Sequence, residues 1–335
     1  MKTKPQESDD TPSDDPVDTL SDKALAKYIA HARSRHSRKE AQDTNNNNNN
    51  NNNTITESNT LPLTPLYITK FYLSPSHAHD VQLSTSQAHA LGIRAPPLKR
   101  IIHAKDGTVE CLFTRIHGPT LESCWPDLSL FTTVRLAIQL RGMVQKMRTV
   151  TRPTAGSLGT GACRSFWLEE FYGIPPHASA AVVGMVVNFW CGFQSYGRER
   201  RKTLEEHRRS CERGVVTGDD DRGKDLVFTH HDLAPRNIIL EQGTKNLWLV
   251  DWDESGFYPR YFEYAGMRNL EYPPEWGWYG EWRWKIFCWI VAGFRWYDRE
   301  AEMLKEIRNK AGRFPGGRRF NIKAGITPSE RPVDD

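Results

Sequence analysis

The residues of this sequence that could do chemistry lie close together in the segment LVFTHHDLAPRNIILEQGTKNLWLVDWDESGFYP. An apolar run leads to His230 and Asp232, and Asn237 follows five residues after Asp232, directly before a second apolar run. A glycine-containing turn then reverses the chain, and the run LWLV leads to Asp251. We expect the two later runs to form a hairpin that brings Asp232, Asn237 and Asp251 toward one edge.

Two carboxylates and one amide at one edge are suited to phosphoryl transfer. Magnesium neutralises the charge of a nucleotide's phosphates and prefers oxygen ligands, and a further carboxylate must orient the acceptor hydroxyl and take its proton. We therefore predict Asn237 and Asp251 as metal ligands and Asp232 as the catalytic base, in the pattern HxDxxxxN of the kinase signature set. His230 completes this catalytic pattern, and we expect its ring to pack in the loop and to hydrogen-bond the backbone.

The same residues also allow simpler interpretations. Asp232 and Asn237 can serve as turn and capping residues, and Asp251 can be an ordinary loop carboxylate. The pair His230-His231 could bind zinc, but no Cys or third His lies at ligand spacing nearby. The strand, turn, strand and terminal Asp that follow the motif favour the phosphoryl-transfer interpretation.

The run HHDLAPRNIIL followed by LVDWDESGFYPRYFEY resembles the aminoglycoside phosphotransferase (APH) and choline kinase-like family of the protein-kinase-like superfamily, in particular its fungal branch. Protein kinases usually show DFG where this chain has Asp251-Trp252-Asp253, and no APE-like segment is found. Pro235 is also similar to the small-molecule branch. The resemblance covers roughly residues 61–312 and implies a bilobal kinase-like fold that transfers the γ-phosphate of ATP to a small-molecule hydroxyl, with ATP and Mg²⁺ as cofactors.

The resemblance also assigns a nucleotide site by position. YITKF resembles the third strand of the family, so Lys70 would contact the α- and β-phosphates. LFTRIHGPTLESCW resembles the fifth strand and the hinge, where backbone groups of Thr114, Arg115 and Ile116 would hydrogen-bond adenine.

The chain departs from the family pattern in this nucleotide lobe. No glycine-rich loop precedes Lys70, where the sequence reads NTLPLTP. Where the family has a helical glutamate that pairs with this lysine, the chain offers only Asp80 or Gln87, and we expect a shortened helix. Two functions therefore remain open: an active phosphotransferase, and a catalytically impaired pseudokinase or binding scaffold with the same fold.

The acceptor is expected to be a small molecule. Acidic residues lie among tryptophans and tyrosines after the motif and would favour a cationic substrate through charge and cation–π attraction. These acidic residues are Asp253, Glu254, Glu263 and Glu271.

The pattern of apolar residues predicts an α+β protein with a small, incomplete antiparallel N-lobe and a larger, mainly helical C-lobe. LYITKFYL and ECLFTRIH are typical of strands. Leu128 to Val150 repeats apolar residues at helical spacing, and Ala178 to Phe193 predicts a buried helix. Glycines at 156, 159 and 161 follow a helix and lack a trailing Lys-Ser/Thr pair, which indicates a turn and not a phosphate loop.

We predict four segments along the chain. Residues 1–60 are a polar, disordered arm with an asparagine run at 45–53, in which a short amphipathic helix could begin at Ser21. Residues 61–118 are the nucleotide lobe and hinge, residues 119–312 the helical C-lobe, and residues 313–335 a flexible tail.

Composition narrows the partners and the compartment. The 335 residues carry 45 Lys and Arg against 41 Asp and Glu, a net charge of +4 that is spread along the chain and does not indicate nucleic acid. An Arg-rich stretch at 198–213 interleaves both signs, which disfavours a nucleic-acid surface there. Six scattered cysteines and no visible export signal are typical of an intracellular protein, in the cytoplasm first and the nucleus second. No segment reaches the ~20 apolar residues that span a bilayer.

Overall fold

A computed structural model describes residues 15–46, 59–104, 106–165, 167, 174–212, 226–293, 297–317 and 319–320. The chain divides into two compact units. The first comprises Met1–Ala78 and Pro97–Arg115, and the second comprises His79–Pro96 and Ile116–Asp335. The predicted α+β class, with a small antiparallel sheet and a mainly helical remainder, is confirmed.

The helices of the described part, in chain order, are α1 (Pro16–Thr19), α2 (Asp22–Asn46), α3 (Pro75–Ala90), α4 (Leu121–Cys124), α5 (Leu130–Met147), α6 (Ala180–Gly192), α7 (Tyr196–Arg201), α8 (Leu204–Glu212), α9 (Tyr261–Arg268), α10 (Gly277–Ala292) and α11 (Asp298–Arg313). The strands are β1 (Thr60–Pro62), β2 (Tyr67–Tyr72), β3 (Leu98–His103), β4 (Val109–Thr114), β5 (Thr151–Arg152), β6 (Leu226–Thr229), β7 (Ile238–Leu240), β8 (Leu247–Leu249) and β9 (Gly256–Pro259).

The first unit is built on a four-stranded antiparallel sheet in the order β1-β2-β4-β3. β-Branched and aromatic residues of β2 and β4 favour this pleated structure. Lys70 lies opposite Cys111 in the register of β2 and β4. The turn before β4 contains Gly107 at φ 85°, a conformation that glycine adopts without strain.

Part of the predicted disordered arm is folded. α2 places Leu25 and Ile29, one helical turn apart, in a buried cluster with Tyr67, Ile102 and Leu112 of the sheet. The prediction that residues 1–60 lie outside the fold is therefore wrong for this stretch, because the apolar face beginning after Ser21 finds a partner in the sheet. The asparagine run beyond Asn46 lies outside the described residues.

Helix α3 is longer than the sequence predicted. It runs for 16 residues, whereas the departures from the family pattern suggested a shortened helix. α3 carries Asp80, which is 2% exposed.

The second unit has an extensive helical core. α5 and α6 occupy the two stretches predicted as helices, and both begin at a serine cap: Ser129 accepts a hydrogen bond from the Thr132 amide, and Ser179 from the Val182 amide. These caps satisfy backbone N–H groups that have no partner inside the helix. α10 packs against α5 and contributes Trp284, which is fully buried.

The tryptophans in and next to α10 differ in their exposure to solvent. Trp276 and Trp284 are buried, but Trp278 is 80% exposed and Trp282 is 48% exposed. The predicted tail at 313–335 also begins inside the fold, since Phe320 is 4% exposed and lies 5.5 Å from the His207 ring. No helix in the described ranges is long and apolar enough to cross a membrane.

Candidate active site

The predicted hairpin forms and leads directly into the motif residues. β7 and β8 pair antiparallel, with Ile238 opposite Leu249, so the residues before β7 lie beside those after β8. The Val250 amide donates a hydrogen bond to the Asn237 carbonyl at 3.0 Å. Asp251, the next residue after Val250, therefore follows a backbone hydrogen bond to Asn237, and the hairpin brings the two residues to one edge as the sequence predicted.

His230 closes the same arrangement from β6. Its Nε2 donates to the Val250 carbonyl at 3.0 Å, and its Nδ1 accepts from the Asp232 amide at 3.3 Å. Burial lowers the pKa of His230, against the opposing effect of the Asp232 and Asp251 charges, so the imidazole is neutral. The His230 ring is fully buried, and both of its nitrogens bond to backbone groups. His230 therefore holds the loop in position, as expected.

Asn237 links the candidate base to the candidate metal site. Its Nδ2 donates to Asp232 Oδ2 at 2.7 Å and to the Asp232 carbonyl at 3.1 Å. Because both partners are acceptors, the amide nitrogen must face them, and Oδ1 points elsewhere. No described residue donates a hydrogen bond to Oδ1, which leaves an oxygen able to bind a cation.

Arg236 is a member of the site that sequence reasoning missed. It donates to both carboxylate oxygens of Asp232, at 2.8 and 3.1 Å, from the turn formed by Pro235–Asn237. The available signal was a cation four residues after an acid in a tight turn. The Asp232 side chain is 29% exposed and that of Arg236 is 51% exposed, so the pair is open to solvent.

Asp251 is exposed and has φ 66°. A left-handed conformation is uncommon for a non-glycine residue, and it often occurs at functional sites. The next residue, Trp252, is buried and donates from Nε1 to the Leu249 carbonyl at 3.0 Å. Its ring centroid lies 4.5 Å from that of His230. Trp252 therefore anchors the turn that presents the Asp251 carboxylate to solvent.

Glu263 is buried and binds the backbone of the loop that carries the motif. Its carboxylate accepts the His230 amide at 2.9 Å and the His231 amide at 3.0 Å, and the residue is 2% exposed. Burial raises the pKa of Glu263 to about 7, although these two amide bonds oppose the change. The proposal that Glu263 attracts a cationic substrate was therefore wrong, because both oxygens are engaged with the loop backbone.

His231 is held as firmly as His230. It has φ 71°, its Nε2 lies 2.5 Å from Ser165 Oγ, and its ring stacks on Tyr258 at 4.4 Å. Burial lowers the pKa of His231 to about 3, so the ring stays neutral. The imidazoles of both adjacent histidines are thus buried, and each forms a hydrogen bond inside the protein through Nε2.

The predicted nucleotide residues lie at the following places. Lys70 is in β2, 8% exposed, with Nζ 5.9 Å from the Tyr72 ring. Thr114 ends β4, and Arg115 is the last residue of the first unit, with its amide bonded to the Leu66 carbonyl at 2.8 Å. Ile116 is the first residue of the second unit's larger segment. Their nucleotide-binding roles stay predictions.

The site's donor set suits magnesium. Asn237 Oδ1 and the Asp251 carboxylate offer oxygen donors of the kind that magnesium prefers, and magnesium in phosphoryl-transfer sites typically takes one or two protein ligands together with phosphate oxygens and water. No group of three or more His, Cys, Asp or Glu that could hold a metal occurs in the described ranges. The residues present fit a cation shared with a phosphorylated ligand.

Residues 187–283 match the model of the phosphotransferase enzyme family, APH. The resemblance predicted from the motif is confirmed. This interval contains all four motif residues together with Arg236 and Glu263, so the APH-like segment coincides with the hydrogen-bonded site. Its placement in the fungal branch stays a prediction.

None of the curated proteins compared with this sequence matches it. Among solved structures, the GDP complex of wild-type aminoglycoside 2'-phosphotransferase-IIIa is 14% identical, with 80% of this chain and 82% of that chain covered and a TM-score of 0.42. APH(3'')-Id from Streptomyces rimosus is 15% identical, with 76% and 94% covered and a TM-score of 0.43. A thermostable APH(4)-Ia mutant in ternary complex with ADP and hygromycin B is 11% identical, with 77% and 89% covered and a TM-score of 0.40. At these values, none of the three similarities adds to the functional assignment.

Proposed function

We propose that this protein is an ATP- and Mg²⁺-dependent phosphotransferase that moves the γ-phosphate to a hydroxyl of a small molecule. One observation carries the proposal: a hydrogen-bonded system at Val250 holds Asp232 and Asn237 beside the point where the chain continues into Asp251. His230 and Asn237 both bond to Val250, and Asn237 bonds to Asp232. The match of this segment to a phosphotransferase family supports the same reaction.

Asp232 is proposed to act as the base. Its carboxylate is partly exposed, so it can accept a hydrogen bond from an incoming hydroxyl and orient the oxygen for attack on phosphorus. Two donors already contact it, Arg236 and Asn237, and hold the carboxylate in a defined direction. The hydroxyl oxygen then forms a bond to the γ-phosphorus, the bond from that phosphorus to the β-phosphate oxygen breaks with release of ADP, and the hydroxyl proton passes to Asp232.

Asn237 and Asp251 would hold the metal. Bound magnesium would neutralise charge on the phosphate oxygens. The protein's own contribution is orientation: Asp232 fixes the Asn237 amide, and Trp252 fixes the turn that carries Asp251. Lys70 and the backbone of Thr114–Ile116 are proposed for the phosphates and adenine, on the resemblance alone.

The acceptor is proposed to be a small molecule, with a cation as the favoured class. Because Glu263 is buried beneath the loop, the acidic residues that remain candidates for attracting a cationic acceptor are Asp253, Glu254 and Glu271. Substitution Glu271→Gln is expected to raise the KM for a cationic acceptor and to leave the KM for a neutral acceptor unchanged. A KM for the cationic acceptor that is the same in the variant and in the wild type would contradict a role for Glu271.

A catalytically impaired scaffold is the second candidate. The specific observation in its favour is that the carboxylate of Asp80, the only acid in α3, accepts five hydrogen bonds from residues 157–164. This acid is therefore engaged by residues of its own unit. The absence of a glycine-rich sequence before Lys70 points in the same direction.

A transfer assay separates the two candidates. ADP release would be measured for the full-length protein with ATP, magnesium and a panel of amino- and hydroxyl-bearing small molecules. An active phosphotransferase shows acceptor-dependent ADP release that Asp232→Asn lowers by about 10²–10⁴. Nucleotide binding without acceptor-dependent release, unchanged by Asp232→Asn, would favour the scaffold.

A further inference from the structure

Asp80 holds a loop of the second unit through an unusually complete set of hydrogen bonds. Its Oδ1 accepts the amides of Gly159 and Thr160, each at 2.8 Å. Its Oδ2 accepts the hydroxyls of Ser157 at 2.9 Å and Thr160 at 2.6 Å, and also the Arg164 guanidinium. One side chain of α3 thus binds both ends of the segment 157–164.

These contacts keep a buried charge stable. Burial raises the pKa of Asp80, but hydrogen bonds from Thr160 and Arg164 outweigh that effect and lower the pKa to about 2. The carboxylate is therefore ionised at physiological pH although it is 2% exposed. A buried carboxylate with this many donors is costly to disturb, because removal of one partner leaves others unpaired.

The loop is fitted closely against β9. The Gly156 and Phe257 backbones exchange hydrogen bonds at 3.1 and 2.9 Å. Gly156 has φ 107°, and a Cβ there would lie 1.9 Å from the Gly161 carbonyl oxygen. A Cβ on Gly256 would meet the Gly156 carbonyl at 2.6 Å. Side chains larger than hydrogen do not fit at this contact, so the loop has little freedom to move independently of β9.

The end of the loop contacts the catalytic segment. The Tyr258 hydroxyl donates to the Arg164 carbonyl at 3.1 Å, and the Tyr258 ring stacks on His231. Ser165 Oγ lies 2.5 Å from His231 Nε2. His231 immediately precedes Asp232, and its φ of 71° shows that the backbone is turned sharply at this point. A continuous set of contacts therefore runs from Asp80 through Arg164 and Ser165 to the residue before the proposed base.

We propose that Asp80 is a positioning residue for the catalytic loop: by fixing Arg164, it fixes Ser165 and Tyr258 against His231 and so sets the backbone that carries Asp232. The inference also gives a role to the loop that contains the glycines at 156, 159 and 161. Its amides bind a carboxylate of the protein itself, in place of a phosphate. The catalytic part of the inference rests on the proposed phosphotransfer, whereas the positioning part does not.

The test uses the full-length protein and two substitutions that break the connection at different points. Asp80→Asn keeps the side-chain volume and removes the acceptor that faces Arg164. Arg164→Met removes the same interaction from the other side, at a side chain that is 25% exposed. Asp106→Asn is the matched control, since that carboxylate also binds a threonine, at 2.6 Å, but in an exposed turn of the first unit.

Hydrogen exchange of the peptide spanning residues 228–234 is measured first, because it needs no substrate. We expect Asp80→Asn and Arg164→Met to speed exchange of the His230, His231 and Asp232 amides, while the α5 and α10 amides keep wild-type rates. The control should match the wild type. Unchanged exchange in the 228–234 peptide of the two folded variants would overturn the inference, and so would an equal rise throughout the second unit.

Kinetics then tests the catalytic part. Both variants should lower kcat by about tenfold or more, while the KM for ATP changes by less than about twofold, because misplacement of a base affects the transition state more than binding. The double variant should be no worse than either single one. If exchange rises but kcat is unchanged, the proposed role of Asp232 fails; if exchange is unchanged, the role of Asp80 fails.

Discussion

Asn237 Nδ2 lies 2.7 Å from Asp232 Oδ2, so the predicted metal ligand donates a hydrogen bond to the predicted base. The second bond of the same nitrogen, to the Asp232 carbonyl at 3.1 Å, prevents the amide from rotating freely. One side chain thereby sets both the direction of the base and the direction of its own oxygen. Changes at Asn237 should affect folding stability and catalysis together.

Substitution Asn237→Asp tests this relationship through stability. It replaces a donor with a carboxylate beside the Asp232 carboxylate, in a position that is 5% exposed. We expect the free energy of unfolding in urea to fall by about 1–3 kcal/mol at neutral pH, because a buried hydrogen bond is lost and like charges are brought together. Asn246→Asp is the control, since its Nδ2 also faces a carboxylate, Glu241, at 3.3 Å in a more open turn. Equal losses in both variants would contradict the account.

Arg236 should matter more for catalysis than for stability. Its pair with Asp232 is largely exposed, and such pairs contribute about 0–1 kcal/mol. We expect Arg236→Gln to leave the thermal midpoint nearly unchanged and to lower kcat several-fold, because one of the two side chains that orient Asp232 is lost. Arg209→Gln is a suitable control, since Arg209 pairs with Glu205 at 3.1 Å away from the motif. An Arg236 variant with wild-type kcat would show that the pair is incidental.

Glu263 should give stability a characteristic pH dependence. The pKa of Glu263 is raised from 4.5 to about 7 in the folded protein, so the folded state holds the proton more tightly than the unfolded state. The stabilisation that results from this tighter proton binding is fully present below pH about 4.5 and is lost as pH rises through about 7. Relative to Glu263→Gln, the unfolding free energy of the wild type should therefore decrease across this interval. A difference that stays constant, or rises with pH, would mean that Glu263 is not buried as described.

Gly118 should tolerate no side chain. It has φ 152°, and a Cβ would lie 2.1 Å from the Leu240 carbonyl oxygen, where the segment before α4 runs beside β7. We expect Gly118→Ala to lower the unfolding free energy by about 2–4 kcal/mol. Gly142→Ala, in α5 with open space around the added carbon, should instead raise it by up to about 1 kcal/mol. If both substitutions destabilise equally, the close approach at Gly118 is not real.

Local patterns were sufficient to predict the elements that carry the motif. Apolar periodicity located α5 and α6, and the turn between two short apolar runs located the β7–β8 hairpin. The packing of α2 was missed because its composition is polar, while two residues one turn apart, Leu25 and Ile29, were enough to bury it on the sheet.

Long-range contacts were beyond reach of the sequence. Glu263 lies more than 30 positions after the two backbone amides that donate hydrogen bonds to it. Asp80 lies 77 to 84 positions before the residues that donate hydrogen bonds to it. A carboxylate that faces a substrate and one that binds buried amides look alike in a sequence, since only the tertiary structure determines the environment. The pairing of Arg236 with Asp232 is different, since it spans only four positions and its spacing is visible in the sequence.

Calorimetry of ATP binding tests the central claim most directly. The full-length chain is required, because α2 packs on the sheet of the first unit. The account predicts that ATP binds in the presence of magnesium, that binding weakens strongly when magnesium is removed, and that Asp251→Asn abolishes the magnesium dependence. Asp253→Asn, two residues further in the same turn, should bind as the wild type does. Magnesium-dependent binding that survives unchanged in Asp251→Asn, or no ATP binding by the wild type, would contradict the proposed metal site.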